Sequence, residues 1–588
     1  MLNFSMKKSL INGSKNVGEG IMYESKPWLK FYGNVPESID YPRISLYDCL
    51  MRSVEKTPHS IAYDFMGYRS TYRKFSEDIE RLANVLYHLG LRKGDCIAIS
   101  VPTTPQGVIC FYAANRLGAV ASMIPPESTA EEIRFYLNIS KSTYALILDV
   151  SYSDYEAILD DTELKVIILT NVGDCLPMLK KLGRYITGRG AITPSPEDSR
   201  IRLWKTLMKK GCPPAPKAKV NADDLAVILY SGGTTGMPKG VMLSNLNFIS
   251  EGMQVAAWGN FSTSDSILTS LPLFHGFGLG VCVNAIFMGG GTCIMTPTSK
   301  PETIAKLIKE KKPTFIVGVP TLYESLSRSR DFRSSDLSRL KAAFSGADTL
   351  PRKTKEDFEE TVRRGGGNIK LLEGYGLTEA VTAIMATPLT EYREGSIGIP
   401  YPDIIAKIVR QGTTEEAPVG DDGELCIHGP PVMIGYLGEP EDTANALIKH
   451  ADGRVWLHTG DVASMDEDGF FYYKLRLKRI IKTAGLNVYP GQVEEVLSHH
   501  PAVKVACVIG VPDRYQGERA KAFVVLEDPS GASKEMEREL IDHCTKSLIS
   551  WSCPKEVEFR KALPLTPTGK LAFKELEKEE SERLRFEK

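Results

Sequence analysis

The chain has 588 residues, and its 72 lysine and arginine residues nearly balance its 73 aspartate and glutamate residues, for a net charge of −1. This length exceeds what one compact core accommodates, so we expect at least two folding units. The balanced charge gives no general reason to expect a nucleic-acid partner. The eleven cysteines are scattered without any C-x-x-C pair, which argues against a disulfide scaffold or a zinc site.

The segment 1–40 is polar, and we expect it to form an extended lead-in to the first helix. It lacks the apolar core of a signal peptide. The longest apolar stretches of the chain are short and interrupted by glycine, so the sequence predicts no transmembrane helix. These features favour a cytoplasmic protein as the default interpretation.

The segment 41–474 alternates between helical and strand patterns, which predicts one large α/β domain with several layers and mixed sheets. Residues 71–90 carry apolar side chains at helical spacing and predict an amphipathic helix. Short runs rich in β-branched residues end in Gly, Ser or Pro, as parallel strands do where their loops begin. Such runs occupy residues 96–102, 164–170, 224–230, 266–272, 314–320 and 340–347.

The segment 172–220 differs from its surroundings because it is rich in basic, proline and serine residues. The simplest interpretation is a solvent-exposed segment on the protein surface. The alternative is a basic, partly amphipathic patch that touches a membrane surface or the phosphates of a ligand.

The segment 479–588 predicts a separate, small α+β domain. Its strand and helix patterns alternate in a compact unit, after a short connection at 475–478. Helices are expected at 492–500 and 534–549, and strands at 503–512, 520–527 and 555–560.

A phosphate-binding loop is predicted directly after the strand pattern 224–230. Three glycines let the backbone N–H groups approach an anion closely, while hydroxyl side chains and a lysine add donors and positive charge. The loop is not a Walker A motif, because Pro238 precedes the lysine and Gly240 follows it. The residues of this set are Ser231, Gly232, Gly233, Thr234, Thr235, Gly236 and Lys239.

The sequence SGGTTGMPKG at 231–240 resembles the signature loop of the adenylate-forming superfamily, which comprises acyl-CoA ligases, peptide-synthetase adenylation domains and luciferases. Further motifs of that superfamily follow in order: SGAD at 345–348, GYGLTE at 374–379, TGD at 459–461 and PTGK at 567–570. The resemblance implies that the segment 41–474 binds AMP and that the segment 479–588 is mobile. The residues that it implies for ATP and AMP binding are those of the loop together with Gly346, Ala347, Asp348, Gly374, Tyr375, Gly376, Thr378, Asp461 and Arg476.

The resemblance also implies the chemistry. A substrate carboxylate attacks the α-phosphorus of ATP, pyrophosphate leaves, and a thiol then attacks the acyl-AMP anhydride. No protein nucleophile is required, so the protein positions the reactants and neutralises charge. The implied cofactors and co-substrates are ATP, Mg²⁺ and CoA, and Glu379 offers a hard oxygen ligand for Mg²⁺. The implied catalytic residues are Lys570, Glu379, Thr234 and His275.

In the superfamily the small domain rotates between the two half-reactions. The matching hinge position is Lys478, and rotation would replace Lys570 at the site by Gly485. A glycine there would let the pantetheine chain of CoA approach the backbone. Leu475 departs from the residues usual in relatives, which leaves local contacts at the hinge in doubt.

The substrate motif Phe274-His275-Gly276 has His275 where amino-acid-activating domains carry aspartate, which argues against an amino-acid substrate. Gly376-Leu377 leaves space where acetate-type enzymes have tryptophan. The sequences at 28–40 and 485–503 resemble those of bacterial medium- and long-chain fatty-acid CoA ligases. We therefore predict a fatty acid as the substrate.

Several alternatives stay open at this point. The acid could be an aryl acid, or the acceptor could be a carrier protein in place of CoA. Luciferase-like oxidation and a non-catalytic nucleotide-binding role are further alternatives. The oligomeric state, monomer or homodimer, and peripheral contact with the inner membrane face are also open.

Overall fold

The computed structural model describes residues 25–176, 198–231, 238–476, 479, 481–483, 486–488, 490–513, 517–548, 552–566 and 571–586. Within these ranges the strands form four sheets. Three sheets belong to the predicted large domain and one to the predicted small domain. The α/β class, with a large N-terminal part of several sheets and a small C-terminal α+β part, is therefore confirmed.

The first sheet has nine strands, and six neighbouring strands in it run parallel to one another. Antiparallel strands extend both of its edges. Parallel strands covered on both faces require nearly continuous apolar sequences, which these strands have. In spatial order the strands are Ile399–Pro400, Ala383–Ala386, Leu371–Gly376, Ala342–Ser345, Phe315–Gly318, Ser266–Thr269, Thr292–Met295, Ile61–Phe65 and Tyr68–Thr71.

The second sheet has eight strands. Six neighbouring strands run parallel, and two further strands join one edge by antiparallel pairing. In spatial order the strands are Gly435–Tyr436, Lys239–Ser244, Leu225–Ser231, Val120–Met123, Cys96–Ser100, Ser142–Leu148, Val166–Thr170 and Ile201–Leu203.

The third sheet is antiparallel throughout. Its strands are Ile405–Val409, Gly423–His428, Leu447–Lys449, Val455–Met465 and Phe471–Arg476. The fourth sheet belongs to the small domain and is antiparallel except for its last strand. Its strands are Ile481–Thr483, Leu486–Val488, Val503–Asp513, Gly517–Leu526 and Glu556–Phe559.

Helices cover the sheets, and their patterns follow from the sequence. The predicted amphipathic helix extends over Tyr72–His88, where the Oγ1 atom of Thr71 accepts a hydrogen bond from the Lys74 N–H and so caps the first turn. Phe75 and Leu82 lie on its buried face. A π-helix, Phe277–Asn284, follows the predicted substrate motif directly; such segments are frequent at functional sites.

The remaining helices have the following bounds. The α-helices are Leu46–Lys56, Pro105–Arg116, Ala130–Ser140, Tyr152–Glu156, Trp204–Lys209, Asn245–Trp258, Ala285–Met288, Pro301–Lys311, Pro320–Arg328, Arg330–Arg333, Arg352–Arg364, Pro440–Ala446, Pro490–Ser498, Lys534–Thr545 and Phe573–Phe586. The 3₁₀ helices are Pro27–Phe31, Asp149–Ser151, Leu159–Asp161, Val172–Cys175, Thr378–Ala380 and Pro529–Gly531. None of the helices in the described ranges is long and apolar enough to cross a bilayer.

Two segments expected to be irregular are ordered where they are described. The lead-in forms the 3₁₀ helix Pro27–Phe31, and its Trp28 is fully buried with its ring centroid 6.4 Å from that of Phe471. In the segment 172–220, the strand Ile201–Leu203 extends the second sheet, and the following helix buries Trp204. Large apolar side chains in otherwise polar sequences explain both differences.

Candidate functional site

The predicted phosphate loop joins the antiparallel strands Leu225–Ser231 and Lys239–Ser244. Ser231 and Lys239 are register partners, so the two ends of the loop lie side by side at the edge of the parallel part of the second sheet. The predicted donors between them lie outside the described residues. These are Gly232, Gly233, Thr234, Thr235 and Gly236.

The ammonium group of Lys239 lies among groups that the sequence analysis did not identify. Its Nζ atom is 2.5 Å from the Oδ2 atom of Asp442 and 5.1 Å from the ring centroid of Tyr436. The Tyr436 hydroxyl donates a hydrogen bond of 2.9 Å to the Oε1 atom of Glu379. Tyr436 thus connects the end of the phosphate loop with the predicted magnesium ligand.

Glu379 lies half-buried in the 3₁₀ helix Thr378–Ala380, and the Met433 N–H donates to its backbone oxygen at 2.8 Å. A carboxylate linked through Tyr436 to Lys239 fits a Mg²⁺ site, because this ion prefers oxygen ligands and binds through few carboxylates together with phosphates. The residues present therefore fit the implied ion.

The predicted adenine-binding turn lies where two neighbouring parallel strands end, Ala342–Ser345 and Leu371–Gly376. Ligands of α/β sheets bind at such carboxyl ends. A Cβ atom on Gly346 would be 3.3 Å from the Gly374 backbone oxygen, so a side chain there would fill the space beside the GYG motif. Ala347 has a φ of +74°, an uncommon left-handed conformation that sharpens the turn before the exposed Asp348.

The aromatic and ribose motifs meet through one hydrogen bond. The Tyr375 hydroxyl donates to the Oδ2 atom of Asp461 at 2.6 Å, and Asp461 is almost fully buried. Arg476 is the register partner of Asp461 on the adjoining strand. The hydrogen bond and the strand register therefore bring these three predicted nucleotide-binding residues together, although Tyr375 lies 86 positions before Asp461 and 101 positions before Arg476 in the sequence.

The predicted substrate motif packs against the loop that follows Glu379. A Cβ atom on Gly276 would be 1.9 Å from the Val381 backbone oxygen, and one on Gly376 would be 1.4 Å from the Thr382 backbone oxygen. Both positions therefore exclude any side chain. Val381 itself has a φ of +64°, which is a strained conformation for a β-branched residue.

His275 and Phe274 are half-buried beside the π-helix. The Nδ1 atom of His275 lies 3.1 Å from the Phe277 N–H, which donates to it. This contact assigns the proton of a neutral ring to Nε2.

Glu251 is a buried acid that none of the sequence motifs indicates. It lies on the helix Asn245–Trp258 and is fully buried. Neither carboxyl oxygen makes a hydrogen bond of ordinary geometry among the described residues, and the nearby Ala383 N–H offsets the effect of burial only in part. A Cβ atom on Gly280 of the π-helix would be 2.9 Å from its Oε2 atom. Burial raises the pKa of Glu251 to about 8, which keeps the carboxyl protonated at neutral pH.

Three residues that the family resemblance implies for the mobile part of the chain lie outside the described residues. They are the catalytic Lys570, the hinge residue Lys478 and the CoA-side Gly485. The boundaries of the hinge and of the small domain accordingly stay predictions.

Comparison with known proteins agrees with this geometry. The family profile described as AMP-binding enzyme matches residues 50–437, and the AMP-binding enzyme C-terminal domain matches residues 492–570. The long-chain-fatty-acid–CoA ligase of Bacillus subtilis (strain 168) is 36% identical over 95% of this chain and 99% of its own length. The enzyme of that name from Escherichia coli O157:H7 is 34% identical over 94% and 98%.

Among solved structures, ATP-bound MatB from Rhodopseudomonas palustris is similar, with a TM-score of 0.79 and 26% identity over 91% of this chain and 99% of that one. The match extends along both predicted domains.

Proposed function

Because the chain belongs to the AMP-binding enzyme family and is an ATP-dependent acyl-CoA ligase, we propose that it activates a medium- or long-chain fatty acid, with a long chain as the first expectation. The observation that carries this proposal is the likeness to long-chain ligases along almost the whole chain. It is supported by buried apolar residues beside the substrate motif, among them Leu273, Leu279 and Val281.

The described residues suit the first half-reaction. Tyr375 and Asp461 hold the nucleoside, with the ring as a flat face for adenine and the carboxylate as an acceptor for the ribose hydroxyls. Lys239 neutralises the negative charge of the departing phosphates. To do so, its Nζ atom leaves the Asp442 carboxylate and contacts phosphate oxygens instead. When bound at Glu379, Mg²⁺ supplies further positive charge to the phosphates.

The remaining roles rest on the family motifs. Lys570 contacts the carboxylate and the α-phosphate during adenylation, and Thr234 contributes a donor from the loop. Rotation at Lys478 then brings Gly485 to the site, where the CoA thiol attacks the acyl-AMP.

The test is pyrophosphate release across a panel of acids from acetate to oleate, with aryl acids such as cinnamate included. The long-chain acids should give the highest kcat/KM, and each should yield acyl-CoA when CoA is added. A preference for acetate or for an aryl acid would contradict the proposed substrate. A phosphopantetheinyl carrier protein that replaces CoA with higher kcat/KM would contradict the proposed acceptor.

A further inference from the structure

A cysteine and two histidines meet in the third sheet, apart from the predicted catalytic residues. One potential ligand atom from each of Cys426, His450 and His458 lies within 4.8 Å of the others. Cys426 and His458 are register partners on neighbouring strands, and His450 follows the strand Leu447–Lys449. All three side chains are at least nine-tenths buried.

The two imidazoles point their Nε2 atoms at each other, 2.9 Å apart. The Nδ1 atom of His458 lies 2.9 Å from the Oε2 atom of Glu424. A carboxylate only accepts hydrogen bonds, so Nδ1 of His458 carries the proton and its Nε2 atom presents a lone pair to the cluster. A histidine oriented in this way by a carboxylate is the usual arrangement of a metal ligand.

The second histidine is also prepared to act as a ligand. The Nδ1 atom of His450 has no hydrogen-bond partner among the described residues, so this atom can carry the proton of the ring while Nε2 binds an ion. The Nε2 atoms of both rings can therefore present lone pairs to the same ion. A hydrogen bond between the rings would account for their approach, but it gives no reason for a thiol at the same point.

We propose that Cys426, His450 and His458 bind one divalent transition-metal ion of the Zn²⁺ type, with a fourth position open to water. Thiolate and imidazole ligands favour Zn²⁺ and Co²⁺ over Mg²⁺, which prefers oxygen. The site is thus chemically distinct from the one expected at Glu379.

Binding changes the charge of the cluster in a defined way. Burial and the neighbouring Glu424 raise the pKa of the Cys426 thiol, whereas Lys407 lowers it. The free thiol is therefore protonated, and the ion replaces this proton as the S–metal bond forms.

The cluster is connected to the nucleotide site without sharing its residues. The second carboxyl oxygen of Glu424 accepts a hydrogen bond of 3.0 Å from the Gly460 N–H. Gly460 directly precedes Asp461 in sequence. An ion bound by His458 would therefore fix the carboxylate that also holds the backbone of the ribose motif.

The test is titration of the full-length protein with Co²⁺ alone, in buffer without ATP and Mg²⁺. One equivalent should produce a thiolate-to-cobalt charge-transfer band and the intense visible bands of a tetrahedral site, and one equivalent of Zn²⁺ should abolish both. Cys426→Ser should lose the charge-transfer band, and His450→Asn should weaken binding at least about tenfold. Cys110→Ser removes an equally buried thiol from the helix Pro105–Arg116 and should change neither result.

The proposal fails if the wild-type protein shows no such band, or if the band persists in Cys426→Ser. If the variants do not fold, as judged by their circular dichroism, X-ray absorption of the Zn²⁺-loaded wild-type protein decides. One sulfur and two imidazole nitrogens around zinc support the site, and any other set of protein ligands overturns it.

Discussion

At the scale of single residues, one hydrogen bond joins two motifs that lie far apart in sequence. The Tyr375 hydroxyl contacts the buried Asp461 carboxylate, and this contact fixes the ring that should stack on adenine. A hydrogen bond to a charged group contributes about 1.5–3 kcal/mol. The ring and the ribose acceptor therefore act as one preformed surface.

The variant Tyr375→Phe keeps the ring but loses this bond, so we expect KM for ATP to rise roughly tenfold while the acid dependence changes little. Steady-state pyrophosphate release at varied ATP measures the effect. The matched control is Tyr472→Phe, which removes a 3.0 Å bond to Asp466 elsewhere in the third sheet. An equal rise of KM in both variants would mean that Tyr375 has no specific role in ATP binding.

Glu251 gives a prediction about stability and pH. The folded protein holds the proton up to about pH 8, whereas the group has an ordinary pKa of 4.5 once exposed. Between these values the folded state binds more protons than the unfolded state, so the free energy of unfolding falls as pH rises. The slope is at most about 1.4 kcal/mol per pH unit.

The variant Glu251→Gln cannot ionise and should lack this part of the pH dependence. Urea denaturation of both proteins at pH 5, 6, 7 and 8 checks the expectation. The stability of the wild-type protein relative to the variant should decrease steadily over this series. Parallel stability curves would show that Glu251 stays charged in the folded protein.

At the scale of elements, close backbone contacts explain why glycine occupies two motif positions. Gly276 precedes the π-helix and Gly376 ends a strand, and both meet backbone atoms of Val381 and Thr382 at distances that exclude a Cβ atom. The substrate motif and the Glu379 loop are therefore packed against each other. Interiors at crystal-like density do not absorb such an added group without movement.

The variant Gly376→Ala should therefore displace the segment that carries Thr382 and lower both stability, by about 1–3 kcal/mol, and adenylation. Thermal unfolding and pyrophosphate release measure the two effects. The control Gly211→Ala adds a methyl group where no atom lies within 4 Å, at an ordinary backbone conformation, so both measurements should stay at wild-type values. Wild-type stability and activity in Gly376→Ala would contradict the close contact.

At the scale of the whole molecule, the two half-reactions should depend on different residues of the small domain. Lys570→Ala should abolish adenylation, because it removes a positive charge from the attacking carboxylate and the α-phosphate. It should leave thioester formation from supplied acyl-AMP intact. Rapid-quench assays of each half-reaction with the same protein separate the two steps.

The complementary variant Gly485→Trp should do the reverse, because a large side chain would block the pantetheine path after rotation. It should retain pyrophosphate release and lose acyl-CoA formation. Equal loss of both steps in Lys570→Ala, or normal CoA turnover in Gly485→Trp, would contradict domain rotation.

The sequence by itself predicted the α/β class, the main strands and the ordered nucleotide motifs. These features are local, because strand runs, helix periodicity and glycine-rich loops depend on neighbouring residues. The same local patterns did not predict that Trp28 is buried, because it is one large apolar side chain in an otherwise polar segment.

Only the tertiary structure decided which distant residues meet. The contacts from Tyr436 to Glu379 and from Tyr375 to Asp461 span 57 and 86 positions of the chain. The absence of C-x-x-C pairs argued against a zinc site, yet sheet register places Cys426 opposite His458. The burial of Glu251 likewise could not be predicted from the residues next to it in the sequence. Such sites arise from long-range pairing of strands, which local sequence does not encode.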